Sequence, residues 1–168
     1  MLTSSDICMC ASAQTCPRVV SRATSRSDPV DVRVQSTCDA ATKYAYKVKI
    51  VSKSRQGEDW TVFRGRIRAV YRGMEGGVGR NQIHTFWMKI LCNSERITVN
   101  KEYLIVGAAL VQGSDGVFKH LLEANTRVEW WPSQSGSNSC ARKKNATNRE
   151  ICEKMVYYNY HMINTGCP

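Results

Sequence analysis

At 168 residues and 18.9 kDa the chain is sized for one hydrophobic core. Its 42% hydrophobic content and mean hydropathy of -0.38 come without an apolar run near the ~20 residues of a bilayer-crossing helix, and 4 Trp, 7 Tyr and 3 Phe supply enough burial to exclude disorder as its main state. The charge is strongly positive, 24 Lys and Arg against 14 Asp and Glu for a net +10, which directs attention to acidic partners.

The chain opens on MLTSSDI, which has neither the basic start nor the apolar stretch of a secretory leader. Yet its 8 cysteines are even in number and unevenly spaced, as in a disulfide framework made in an oxidising compartment. Together these features read as a secreted fragment, or the C-terminal piece of a longer precursor, in which Met1 is not a biological start. Residues 8–38, rich in Ser, Thr, Arg and Asp with Pro17 and Pro29, show no sustained period. They read as an arm tied down by its cysteines, with room for one short helix.

Five strands follow. YAYKVKIVS from Tyr44 sets Tyr44, Tyr46, Val48 and Ile50 on one face and Lys47 and Lys49 on the other, a half-buried strand. WTVFRGRIRAVY from Trp60 sets Phe63, Gly65, Ile67, Ala69 and Tyr71 opposite Arg64, Arg66 and Arg68. Gly65 inside it suggests a bend or bulge that lets a small sheet curl. The glycine-rich run 73–79 is a turn without the GKS/T signature of a phosphate loop. QIHTFWMKIL, with Phe86, Met88 and Ile90 on one face, EYLIVG at 102–107 and TRVEWWP ending at Pro132 complete the set. Strands separated by polar turns, without the helical spacers of a parallel sheet, give a mainly β protein with a small barrel or sandwich.

After the linker SQSGSNS the period becomes helical. Ile151, Met155, Tyr158 and Met162 form one stripe of an amphipathic helix that caps the barrel, with Asn148 as N-cap and Gly166 as its end. This stripe is core packing and not a cofactor box.

Catalysis finds no support. His84, His120 and His161 fall in a strand, a loop and a helix without HExxH spacing, and GxSxG is absent. Each histidine reads as a surface or packing residue. The chain is expected to be a non-enzyme. Cys8, Cys10 and Cys16 cluster as C-x-C-x5-C, but no second ligand pair follows, so disulfides are preferred to zinc and no metal site is expected within the chain. The sequon Asn145-Ala146-Thr147 suits a glycosylated surface loop. The stripe of Arg64, Arg66 and Arg68, with the run Arg142, Lys143, Lys144, is first of all a solvated positive face. Acidic proteins or sulfated glycans such as heparin suit it better than nucleic acid, which a secreted protein seldom meets.

Several segments resemble the netrin-like module (NTR) at the C-terminal end of complement components three, four and five. They are C-x-C-A-x4-C-P at 8–17, YAYKV at 44–48, KEYLIVG at 101–107, VEWWP at 128–132 and the terminal GCP. The resemblance implies a five-stranded, oligonucleotide-binding-like (OB-like) barrel with flanking terminal helices, a netrin-like fold shared with tissue inhibitors of metalloproteinases (TIMPs). Residues 1–37 would be its disulfide-tied N-terminal arm and 38–168 the barrel with its C-terminal helix, one domain over 8–168. It also implies the bridges Cys16 to Cys92, Cys38 to Cys167 and Cys140 to Cys152. The first two close loops of 76 and 129 residues, each worth at most roughly 4 to 5 kcal/mol by chain entropy.

The pattern departs from the family at Thr3, where a cysteine partner for Cys8 is expected. Cys8 therefore loses its expected partner and is left unpaired or in an external disulfide. Cys10 resembles the family cysteine that bonds the remainder of a larger parent protein. In the family this module is a docking platform in innate immunity, recruiting a protease subunit, delivered as a zymogen, or the next component during convertase assembly. In some members the terminal carboxylate completes a Mg2+ site on the partner protease, which makes the carboxylate of Pro168 a candidate ligand in trans and Mg2+ a shared ion rather than a resident cofactor. Two alternatives stand beside docking. A TIMP-like inhibitor would chelate a target's zinc through a free amino terminus at Cys8, and a polyanion-binding module would use the arginine stripe.

Overall fold

The structure is a computed structural model and describes residues 16–20, 32–73, 77–132, 140 and 145–168. In chain order these form strand β1 (Arg18–Val20), helix α1 (Val32–Cys38), strands β2 (Tyr44–Gln56), β3 (Trp60–Arg72) and β4 (Ile83–Lys89), a 3-10 turn η1 (Ser94–Arg96), and strands β5 (Glu102–Gly107), β6 (Ala109–Gln112), β7 (Phe118–Leu121) and β8 (Arg127–Trp131). Helix α2 (Ala146–Asn164) ends the fold.

The five expected strands are β2, β3, β4, β5 and β8, and they build one sheet in the order β1-β8-β5-β2-β3-β4-β7-β6. Closure follows from that order. β7 runs parallel to β4 at one side and β8 antiparallel to β5 at the other, yet only residues 122–126 separate them. A link that short spans at most about 20 Å, less than the five strand spacings of ~4.8 Å between β8 and β7 in a flat sheet, so the sheet must curl. Leu122, inside the link, donates its N–H to Trp87 O at 2.8 Å and packs in the interior.

The interior holds Tyr46, Val48, Phe63, Ile67, Phe86 and Ile105, the inward sets of alternating strands. Gly65 is buried, and only glycine fits there because a Cβ would overlap the Val48 side chain and approach Phe86 Cε2 to 2.9 Å. The β2–β3 register shifts beside it, between Ile50 and Ser52, the bulge that bends the sheet.

Four features differ from the sequence reading. The first is Tyr71, which lies not with Phe63 and Ile67 in the interior but on the outer face against α2, past register shifts between β2 and β3. The sheet has eight strands, since the three-residue β1 and the β6–β7 hairpin add to the five. His120 lies in β7 and not in a loop. Helix α2 starts earlier than expected, with Asn145 as N-cap, its side-chain oxygen accepting from Asn148 N at 3.2 Å. Its buried stripe of Ile151, Met155, Tyr158 and Met162 lies on Ala45, Leu104, Val106 and Trp131, the outward residues of β2, β5 and β8. The helix thus covers a wall of the barrel, and β5 is buried on both faces. Gly166, at φ 69°, ends it as expected, its N–H reaching His161 O.

Candidate docking surfaces

The C-terminus is built from α1 outward. Arg33 of α1 and Glu129 of β8 meet at 2.5 Å in the interior, and Arg127 Nη2 reaches the other carboxylate oxygen of Glu129 at 2.7 Å. One turn on, Thr37 donates to Arg33 O at 2.8 Å, so the Tyr158 hydroxyl, 2.6 Å away, donates to Thr37. Burial pushes the Tyr158 phenol well above its usual range and keeps it a donor. Arg72 closes the joint, donating to the carbonyls of Thr37 and Asp39. These contacts fix α1 between β8 and α2. Cys38, the last residue of α1, is bonded to Cys167, so the tail beyond α2 leaves from a fixed point, and Pro168 is exposed beside it.

The other two bridges brace different regions. Cys16–Cys92 joins the segment before β1 to the segment before η1, and Cys140–Cys152 holds the first turns of α2. Asn145 is exposed, and its cap uses Oδ1 only. Cys8 and Cys10 lie outside the described residues, as do Arg142, Lys143 and Lys144.

The arginine stripe divides. Arg68 pairs with Glu102 at 3.7 Å and Arg66 donates to Asn81 O at 3.2 Å. Arg64 is exposed and makes no ion pair or hydrogen bond among the described residues. Cross-strand pairing gives it other company. Arg64 lies opposite Thr85, and Thr85 opposite Lys119, so two spacings of ~4.8 Å put the pair about 10 Å apart on one face. Lys119 Nζ sits 3.8 Å from the Trp87 ring centre and Lys89 Nζ 4.3 Å from that of Trp60. The two tryptophans meet edge to face at 5.9 Å. Cation–π contact thus holds two ammonium groups in place on the outer wall. Sequence reasoning missed these four residues. The outward alternation of β4 marks Trp87 and Lys89, but only the parallel pairing of β7 brings in Lys119. This wall and the C-terminus are separated by the length of β3, since Arg72 is eight residues from Arg64, or roughly 25 Å.

The histidines serve packing. His120 is sealed in the barrel, stacked on Phe86 at 4.6 Å. Its Nδ1 donates to Thr85 O and its Nε2 accepts from the Tyr46 hydroxyl, both at 3.1 Å, so the neutral ring is fully satisfied and burial holds its pKa down to about 4. His84 accepts from Phe118 N at 2.8 Å. Among the described residues no group of three or more His, Cys, Asp or Glu could hold a metal ion, and no helix is long and apolar enough to cross a membrane.

Three disulfides and the packed interior hold the outer faces described above in place. A family model for the UNC-6/NTR/C345C module matches residues 35–144, from α1 through the barrel to the approach of α2. The chain belongs to that family of netrin-like modules, which are non-enzymatic and act in protein–protein interaction.

Proposed function

We propose that this chain is a secreted docking module of a complement-like protein, which recruits a protease zymogen or the next component as a convertase assembles. The observation that carries the reading is the tethered terminus, in which Pro168 is exposed one residue beyond a cysteine bonded to α1. Untethered termini fray. Here the covalent bond confines Cys167 and with it the neighbouring Pro168, so a carboxylate at Pro168 would be held in place as a ligand. The chain offers one hard oxygen group to a Mg2+ ion, a fit for that ion provided the partner supplies the other ligands. Three disulfides support an extracellular setting. The test is binding of a complement protease zymogen to immobilised chain with Mg2+ and with EDTA. Binding that weakens in EDTA is expected, and identical binding in both would remove the metal from the interface.

A second reading rests on the wall of Arg64, Lys89 and Lys119, where none of the three cations has a carboxylate partner among the described residues. Such a wall suits a sulfated glycan such as heparin. Retention on heparin that falls steeply with salt would support it; retention indifferent to salt would dismiss it.

A further inference from the structure

The barrel end beside β1 contains a cavity of about 220 Å3 that neither docking reading uses. Val19 and Val20 of β1 form one side, Tyr103 of β5 and Trp130 of β8 the floor. Tyr103 and Val20 are buried, and Val19 and Trp130 pack against the barrel core. The cavity is therefore an inlet of the apolar interior.

Its frame is fixed from two directions. The Cys16–Cys92 bridge ties the chain just ahead of β1 to the chain just ahead of η1, which are the two sides of the opening. The Tyr103 hydroxyl then pins the rim to the floor, accepting from Thr98 N at 2.8 Å and donating to Arg96 O at 3.4 Å.

The rim carries Arg96 and Lys101. Both are exposed, and neither side chain makes an ion pair or hydrogen bond among the described residues. No described Asp or Glu lines the cavity. Two unpartnered cations over an apolar floor select a ligand with two parts. An inorganic anion would leave Tyr103 and Trp130 uncovered, and a neutral hydrocarbon would leave the cations without a counter-charge. The volume lies below the ~300–1,000 Å3 of drug-sized sites and suits one ring or one branched alkyl group.

We propose that this cavity binds a small amphipathic carboxylate, with its aromatic or branched apolar group against Tyr103 and Trp130 and its carboxylate between Arg96 and Lys101. A free aryl or alkyl acid and the C-terminal residue of a peptide share that chemistry. The inference is independent of the reading of Pro168.

The test is a nuclear magnetic resonance titration of the whole chain with 3-phenylpropanoate, its neutral amide, acetate, and the peptide acid acetyl-Gly-Gly-Phe. The expected result is saturable movement of the Val19, Val20 and Tyr103 amides and the Trp130 indole with 3-phenylpropanoate. The amide should bind at least about tenfold more weakly, as loss of a charge-assisted hydrogen bond implies. In the surface variant R96A/K101A that discrimination should vanish while the folded spectrum persists. Peptide binding at least as tight as that of the free acid assigns the site to a chain terminus, and binding of the free acid alone assigns it to small acids. Three outcomes overturn the proposal: no saturable shift at about 10 mM, ten times the Kd of a millimolar site; equal shifts with acetate; or discrimination that survives R96A/K101A.

Discussion

Glu129 on β8 accepts a 2.5 Å hydrogen bond from Nε of Arg33 on α1, 96 residues away, and both side chains are sealed from water. Arg127 holds the other oxygen of the same carboxylate, so one anion answers two cations and removal of the partners is not symmetric. Glu129→Gln removes the carboxylate charge that both guanidinium groups share and is expected to cost about 3–5 kcal/mol. Arg33→Met leaves the Arg127 pair in place and is expected to cost less. Urea midpoints of the two variants check the ranking, and the reverse order would show that Arg127 does not share the carboxylate.

His120 makes stability depend on pH. It is neutral in the fold, with a pKa of about 4 against 6.5 in the unfolded chain. As pH falls below 6.5 the unfolded state takes up the proton first, so the stabilisation present above 6.5 is lost progressively down to about 4. The full loss is about 3 kcal/mol by linkage. His84 is also lowered by burial and adds in the same direction. The stability of His120→Phe, measured from pH 7 to pH 4, should fall less steeply than that of the parent. An unchanged slope would place the acid sensitivity elsewhere.

Gly65 is a tight point of the barrel wall, opposite Ile50 on one side and His84 on the other. Gly65→Ala must push apart Val48 and Phe86, both fully buried, and overpacking of this kind costs about 1–3 kcal/mol. Thermal denaturation checks it. A neutral result would mean that the bulge beside Ile50 absorbs the methyl group.

Much of the barrel was legible because half-buried strands alternate. Phe63, Gly65 and Ile67 face in while Arg64 and Arg68 face out, and the continuous apolar run of β5 reflects burial under both the interior and α2. What stayed hidden depends on partners far away in sequence. Phe118–Leu121 has no clear alternation, and its parallel pairing with β4 makes it a strand. Arg33, Arg127 and Glu129 look like surface residues, since no periodicity marks a charge that is neutralised in the core. The N-cap was displaced to Asn148 because the first turn of α2 carries no large apolar residue to signal its start.

Asn145 is both the cap of α2 and the acceptor of a sequon, and the two roles use different atoms. Oδ1 accepts from Asn148 N at 3.2 Å, while N-glycosylation uses the amide nitrogen. Asn145→Ala removes both and is expected to cost about 1 kcal/mol. Asn145→Asp removes only the glycan acceptor and keeps an oxygen at the positive end of the helix dipole. If the sequon is used, both variants lose glycan mass in secreted material, and only the alanine variant should lose stability. Equal stability of the two would show that the cap contributes nothing.

The terminus can be tested apart from the fold it hangs on. Replacing Cys38 and Cys167 with serine opens a loop of 129 residues and is expected to cost up to about 4–5 kcal/mol, while also freeing the tail. Stability and partner binding would then fall together, which does not separate the two roles. Deleting Pro168 alone keeps the bridge and moves the carboxylate back by one residue. If the tethered carboxylate is the ligand, this deletion leaves the melting temperature unchanged and weakens only the Mg2+-dependent part of zymogen binding. Calorimetry and surface binding on the same preparation read the two quantities. Unaltered binding by the shortened chain would mean that the partner recognises another face of the barrel.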